Sequence, residues 1–408
     1  MSREFDVLVI GGGVTAMTMA TALIARKLVS PGRVAVVAEN ISANGARVTG
    51  TDWDTRVFAL SRASQRLLEA CGTWQSLAGK FFAYERMCVW DARGEPEGEG
   101  SLTFDCAEIN EPNLGFIADG RALQSAAAHA AAAAGAIFIE AQILALATSD
   151  TDVRVRLHDG RDLRGQLLIA ADGTESRARE MLRIETAGHT YNQDALVAHV
   201  RTARPHRNTA WQRFLRTGPL AFLPLPDGRS SIVWSAQRVE AARLRALDAV
   251  EFGEALTLAS GGVMGACELA TPIASFPLKL QYALDYVRPR AVLLGDAAHV
   301  VHPLAGQGLN LGLLDCAALA EVLGEAGSTG FFGEQRLLRR YERRRRSENM
   351  LAASALDGLE RLFASENPLV SYLRMTGLNA VGRVGFLKRQ LAERALGISG
   401  DIPAFLAT

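Results

Sequence analysis

The chain has 408 residues, 49% of them hydrophobic and 22% charged, and its 44 basic side chains balance 44 acidic ones. That balance gives no global nucleic-acid surface, and the length exceeds what one core fills, so a globular protein of two domains with an additional helical tail is expected. Five cysteines without a CxxC spacing argue against a disulfide framework and a thiolate zinc site and fit a reducing, cytoplasmic compartment.

The first apolar run, Val7 to Ala25, has the composition of a signal peptide or membrane span. Three consecutive glycines interrupt it, and Glu4 and Asp6 stand where a signal peptide carries positive charge, so it reads as internal structure. Asp6 to Ile10 predicts a buried strand, Gly11 to Gly13 a tight turn, and Val14 to Ala25 a helix. Gly11, Gly13 and Ala16 fill the three positions of a GxGxxG/A turn, whose bare backbone and helix N-terminus suit a pyrophosphate. A second strand, Val34 to Val37, leads to Glu39, an acid spaced to meet the ribose hydroxyls of an adenosine.

A helix is expected from Arg121 through the alanine-rich stretch to Ala134. Val153 to Leu157 alternates, turns at Asp159-Gly160 and resumes toward Ala170 as a strand, which ends in "ADGTESRAR" with Asp172 and Gly173 at its carboxyl end. Short alternating strands follow around Val197–Thr202, Trp211–Phe214, Leu220–Leu225 and Ser230–Ser235. Trp211, Phe214, Phe222 and Trp234 are aromatic candidates either for a pocket wall or for core packing. Tyr191, Tyr282 and Tyr286 are candidates to bind a phenol or to pack. "SGGVMGACE", Ser260 to Glu268, follows no convincing strand and supplies no second nucleotide site.

Ala291 to Leu294 is a further buried strand with Asp296 at its tip, followed by Gly306, Gly308, Leu309 and Asn310 entering a helix. Asp296, His299 and His302 have a spacing that suits a metal, but Pro303 ends any helix that would gather them, and no metal is expected. The better reading is a carboxylate that accepts hydrogen bonds from a polyol, beside helix N–H groups that face an electron-rich ring. From Phe331 to Thr408 the pattern is helical, with 13 basic and 8 acidic residues, a net of +5 that leaves −5 on the first 330. The run Arg343 to Arg346 and the stretch Tyr372 to Leu391 suit a solvated helix face, an anionic membrane surface, or a contact with another protein or copy.

The glycine turn, "ADGTESRAR" and "GDAAHVVHPLAGQGLNLG" together resemble the single-component FAD-dependent aromatic hydroxylases of the p-hydroxybenzoate hydroxylase fold. "DTRVFALSRASQRLLEACGTWQSL" and "WQRFLRTGPLAFLPLPDGRSSIVWS" resemble, more narrowly, the hydroxylases of ubiquinone biosynthesis. The resemblance implies an α/β fold: a discontinuous Rossmann-like FAD domain (1–75, 106–185, 276–330), an antiparallel-sheet substrate domain (76–105, 186–275) and a C-terminal helical region (331–408).

By matching position, the resemblance places Gly11 and Gly13 at the pyrophosphate, Glu39 at the ribose, and Arg56 near the flavin and phosphates. It also places Arg121 near the cofactor, Asp172 and Gly173 at both FAD and the nicotinamide, Asp296 at the ribityl chain, Pro303 beside the flavin, and Gly308 to Asn310 at the ring edge. Ala16 and Gly120 depart from the common pattern, the second beside Arg121. No dedicated catalytic acid or base stands out; His302 is a candidate proton donor. The implied reaction uses bound FAD, transient NAD(P)H and dioxygen to hydroxylate a polyprenylated phenol through a C4a-hydroperoxyflavin. Two rivals share the fold: an FAD-dependent reductase or dehydrogenase acting on an isoprenoid or other aromatic compound, and a non-catalytic flavoprotein subunit of an assembly; a homo-oligomer or a ubiquinone-biosynthesis complex is the expected form of any protein partner.

Overall fold

Val7–Ile10 is apolar at every position and is buried on both faces, which places it inside a parallel sheet rather than on its surface. The computed structural model describes residues 3–41, 53–77, 79–302, 306–325, 332–365, 367–400 and 403–406. In it, Val7–Ile10 lies between Leu167–Ala170 and Val34–Ala38, with Ile137–Glu140 beyond the latter and Ala291–Leu293 beyond the former. These five strands are parallel; a short antiparallel strand, Val287–Arg288, ends the six-stranded sheet. The helix Val14–Ala25 is buried along nearly its whole length because it packs between helices Gly120–Ala134 and Gln307–Gly324. That position explains why its sequence shows almost no polar face.

A nine-stranded sheet forms the second layer. Along it run His299–Val300, Ala274–Ala283, Thr186–Thr202, Ser230–Gln237, Gly218–Pro224, Thr209–Leu215, Arg86–Asp91 and Ser101–Asp105, with Cys267–Leu269 paired to the long strand. Its members come from three separated stretches of chain, and Ala274–Ala283 spans the expected boundary at residue 276. One face of this sheet packs a separate core, with Trp90, Trp211, Phe222, Trp234 and Phe252 among its members. The other face looks toward the parallel sheet.

Among the described residues the C-terminal region holds three α-helices, Gln335–Ala364, Pro368–Arg383 and Gly385–Ala395. Buried contacts tie them to the sheet: Phe363 stacks on Phe214 at 3.7 Å, and Arg374 pairs with the fully buried Asp91. The run Arg343 to Arg346 is not one solvated face. Arg344 pairs with Glu321, and Arg345 turns inward to Asp315 at 2.7 Å. A helix laid against two neighbours presents consecutive arginines to different surroundings at 100° steps, so a basic run in sequence does not make a basic patch.

Candidate active site

Between the two sheets lies a continuous cavity of about 930 Å³. Its polar end is built from the carboxyl tips of the parallel strands, where α/β sheets bind ligands. The first wall is the glycine turn. Gly11 has φ +129°, and a Cβ there would stand 2.2 Å from the Ala171 carbonyl oxygen, so only glycine lets the first strand close on its neighbour. A Cβ on Gly13 would meet nothing within 4 Å, and Gly13 caps the buried helix without a side-chain hydrogen bond. The helix N–H groups therefore face open space. Ala16, one turn on, is fully buried and lets the helix lie close to its neighbours. Gln124 donates to the Gly12 carbonyl and also lines the cavity.

Glu39 follows the second strand, lines the cavity and pairs with Arg177 at 3.3 Å. Arg56 lines it as well, with its guanidinium 4.9 Å from the centre of the Phe58 ring. Asp172 and Gly173 line the same end. The Asp172 carboxylate accepts hydrogen bonds from the Ser176 hydroxyl and, at 3.0 Å, the Ala178 N–H, so it holds the start of the short helix Arg177–Met181, which Ser176 caps. Burial raises its carboxyl above the ordinary range, with these donors opposing. The buried Arg179 then bridges two loops, donating to the Ala297 carbonyl at 3.0 Å and to Thr174 at 3.1 Å.

Asp296 projects into the cavity from the tip of Ala291–Leu293. Its side chain is open to the cavity but enclosed by protein, and burial raises its carboxyl, while His299, Arg56 and a Thr174 hydrogen bond pull the other way. Opposite, Gly308, Leu309 and Asn310 begin the helix Gln307–Gly324, whose cap Gly306 supplies no side-chain hydrogen bond. A Cβ on Gly308 would again meet nothing within 4 Å. The Asn310 side chain is committed to the protein. It donates to the Ala59 and Gly306 carbonyls at 2.8 and 3.1 Å and accepts from Ser61 N and Ser64 Oγ at 2.9 and 2.7 Å. It fixes the helix start, and what it presents to the cavity is backbone.

Two uncapped helix starts, glycines with room beyond them and one enclosed carboxylate fit a dinucleotide carrying a polyol and an electron-accepting ring. A family profile described as "FAD binding domain" matches residues 4–354. The chain is 37% identical over 396 residues to the ubiquinone hydroxylase UbiL of Rhodospirillum rubrum, covering 96% of this chain and 89% of that protein. It is 33% identical over 403 residues to the 3-demethoxyubiquinol 3-hydroxylase of Escherichia coli, covering 97% and 100%. It is 32% identical over 435 residues to human mitochondrial COQ6, a ubiquinone biosynthesis monooxygenase, covering 95% and 91%. The chain belongs to the FAD-dependent hydroxylases of ubiquinone biosynthesis.

Solved structures share the fold. The p-nitrophenol 4-monooxygenase PnpA of Pseudomonas putida superposes with a TM-score of 0.75 at 17% identity, covering 97% of this chain and 99% of that one. PqsL of Pseudomonas aeruginosa does so at 0.75 and 23% identity, covering 93% and 100%. By family, the chain is a flavin-dependent aromatic monooxygenase. Its fold is the expected α/β arrangement with antiparallel sheets.

Several sequence candidates of the hydroxylase lie elsewhere. Arg121 is in the first turn of its helix, its side chain 63% exposed and 3.7 Å from Asp54, and it is not among the cavity-lining residues; Arg56 and Gln124 are. Pro303 falls outside the described residues. His302 is buried against Tyr191, with ring centres 4.9 Å apart, and does not line the cavity. Burial, partly countered by Asp357, lowers its pKa to about 4 and keeps the imidazole neutral rather than cationic at neutral pH. His299 bonds the buried Asp315 at 2.6 Å, so Asp296, His299 and His302 do not converge on one point.

The aromatic candidates divide by strand parity. Phe222 and Trp234 face the second core and Phe214 packs on Phe363, while Trp211 contributes to the cavity edge but also packs in that core. The cavity face of the sheet instead carries Ala195, Val197, Ala221, Val233, Gln212 and Ser235. Gln212 and Ser235 are 7% and 1% exposed, and their side chains have no hydrogen-bond partner among the described residues. Tyr191, Tyr282 and Tyr286 do not line the cavity; Tyr84 does, and burial raises its phenol to about 12, so it stays a neutral donor. Strand alternation in "WQRFL" and "SIVWS" was the signal available for Gln212 and Ser235, but the aromatic residues in the same strands masked it.

Proposed function

We propose that this protein hydroxylates the aromatic ring of a polyprenylated phenol, with NAD(P)H as transient reductant and dioxygen as oxygen donor. The observation that carries this reading is the single cavity joining a dinucleotide-shaped polar end to an apolar sheet face. Bound FAD supplies the redox chemistry and the activation of dioxygen. The Gly11–Gly13 turn and its helix hold the pyrophosphate, Glu39 the ribose, Arg56 adjacent negative charge and Asp296 the ribityl hydroxyls. The N–H groups at Gly308 to Asn310 stabilise the charge that gathers on the ring edge. Tyr84, Gln212 and Ser235 supply the polar contacts that orient a ring on a surface otherwise made of small apolar side chains. That apolar wall excludes water, which would otherwise divert the oxidant.

The sheet assignments support division into a discontinuous FAD domain and a substrate domain. No helix among the described residues is long and apolar enough to cross a membrane. Exposed Tyr372, Leu373, Phe386 and Leu387 on the last two helices favour peripheral contact with the bilayer in which such a substrate dissolves. The deciding experiment is NAD(P)H oxidation by the FAD-loaded protein with and without a short-chain prenylphenol, under labelled dioxygen. Faster oxidation and label in the product are expected. Full turnover without oxygen would identify a dehydrogenase instead, and a flavin inert to both nucleotides would identify a non-catalytic subunit.

A further inference from the structure

The cavity is much longer than an aromatic ring. The nine-stranded sheet sets its length: six inter-strand steps separate Ala274–Ala283, beside the flavin end, from Ser101–Asp105. At about 4.8 Å per step the track runs for about 29 Å along the sheet. Its chemistry changes on the way. Ser235 and Gln212, the unpartnered polar side chains, lie on the second and fourth strands beyond Ala274–Ala283. Past Gln212 the lining is Met87, Phe104, Leu114 and Tyr84, and then the helix Gly385–Ala395, which contributes Leu391, Ala392 and Ala395.

That helix is a fixed wall. Lys388 pairs with Glu108 at 2.6 Å, Ala392 and Leu396 pack on Ile109 and Leu114, and the Leu396 carbonyl accepts from Ala63 N at 3.2 Å. Ala392 is buried, whereas Leu391 is 45% exposed and Ala395 is exposed too, although all three line the cavity. The apolar arm therefore reaches the surface between Leu391 and Ala395. Phe386, 77% exposed, is on the same helix.

We propose that this apolar arm binds the isoprenoid tail of the substrate, and that Ala392 and Ala395 determine how long a tail is admitted. The assignment rests on the prenylphenol reading above. A linear hydrocarbon matches the arm in three respects: the arm is long, its lining beyond Gln212 is apolar apart from the Tyr84 hydroxyl, and it is open at its far end. The ring is held between the flavin end and Gln212, and the tail leaves over Met87 and Phe104. Two alanines at the exit keep the bore open where larger side chains would close it.

The test uses the FAD-loaded full chain, short-chain and long-chain prenylphenols in detergent, and the variant Ala395→Trp, with Ala392→Phe as an independent second block. Binding is read from the perturbation of the flavin visible spectrum, and turnover from product formation. For Ala395→Trp we expect KM and Kd for the long-chain phenol to rise about tenfold, the loss of roughly two buried methylene contacts. Flavin content and turnover of the short-chain phenol should be unchanged. Equal effects on both phenols, or none on either in both variants, overturn the tail assignment. If the parent protein binds and turns over neither phenol, the substrate reading falls and the assignment falls with it.

Discussion

Removing one arginine that does not line the cavity tests how the flavin end is held. Asp315, fully buried on the helix Gln307–Gly324, accepts hydrogen bonds from Arg345 Nε at 2.7 Å and Asn349 at 3.0 Å through one oxygen. Through the other it accepts from His299 at 2.6 Å and Gly295 N at 3.2 Å. Gly295 immediately precedes Asp296, so the cluster sets the position of the loop that carries the cavity carboxylate. Burial opposes ionisation of Asp315, but His299 and Arg345 outweigh it and hold the carboxyl at about 2. Relative to the ordinary value of 3.8, that shift corresponds to about 2 kcal/mol of folded-state stability. The sign follows from the depressed pKa: the contribution is complete above pH 4 and is lost as pH falls toward 2.

Arg345→Met leaves the carboxylate without its arginine partner, and stranding one partner of a buried pair costs about 3–5 kcal/mol. Urea unfolding of apo and FAD-loaded protein at pH 7 should show that loss, and FAD affinity should fall because the loop is no longer pinned. The difference from the parent should shrink as pH falls, because the variant's buried carboxyl takes up a proton at a higher pH than the parent's and then needs no cation. An unchanged urea midpoint together with unchanged FAD affinity would refute the reasoning, since the cluster would then be neither stabilising nor positioning.

Other expectations follow from individual contacts. Asp296→Ala should purify with little flavin and bind it at least tenfold more weakly by fluorescence titration, because a charge-assisted hydrogen bond is worth about 1.5–3 kcal/mol; full flavin content would remove Asp296 from the ribityl contact. Gly13→Val adds a side chain where nothing stands within 4 Å, so the apo protein should keep its melting temperature while FAD binding is lost. His302 is held neutral by burial, with its pKa lowered to about 4 from 6.5, so the unfolded chain takes up a proton first as pH falls. The parent should therefore lose about 3 kcal/mol between pH 6.5 and 4 through this group, and His302→Gln should flatten that slope in denaturation curves. Tyr84→Phe removes one neutral donor from the cavity and should raise KM for a short-chain prenylphenol by roughly two- to tenfold, with flavin content intact.

The features that local chemistry dictates were legible in the chain. A glycine turn between a four-residue apolar strand and a helix has few conformational options, so Gly11, Gly13 and Glu39 come to the cavity together. The same holds for Asp172 and Asp296, two and three residues beyond a buried strand. Side chains whose surroundings are set by distant elements were not legible. Arg121 sits beside the right motif, yet the helix phase turns it toward Asp54, and Gln124, three residues on, faces the cavity instead.

The antiparallel strands show why. Alternation along Thr209–Leu215 fixes that Trp211 and Gln212 oppose each other, but not which one meets the substrate, because both faces of the sheet are covered. Pairing with Arg86–Asp91 and Gly218–Pro224 decides it by closing a second core over Trp211 and leaving Gln212 to the cavity. In the same way, four successive arginines said nothing of Arg345 until the packing of its helix against Gln307–Gly324 brought it to Asp315. Turns and strand tips depend on forces acting across a few residues; the inside and outside of a sheet or helix depend on what the rest of the chain puts against it.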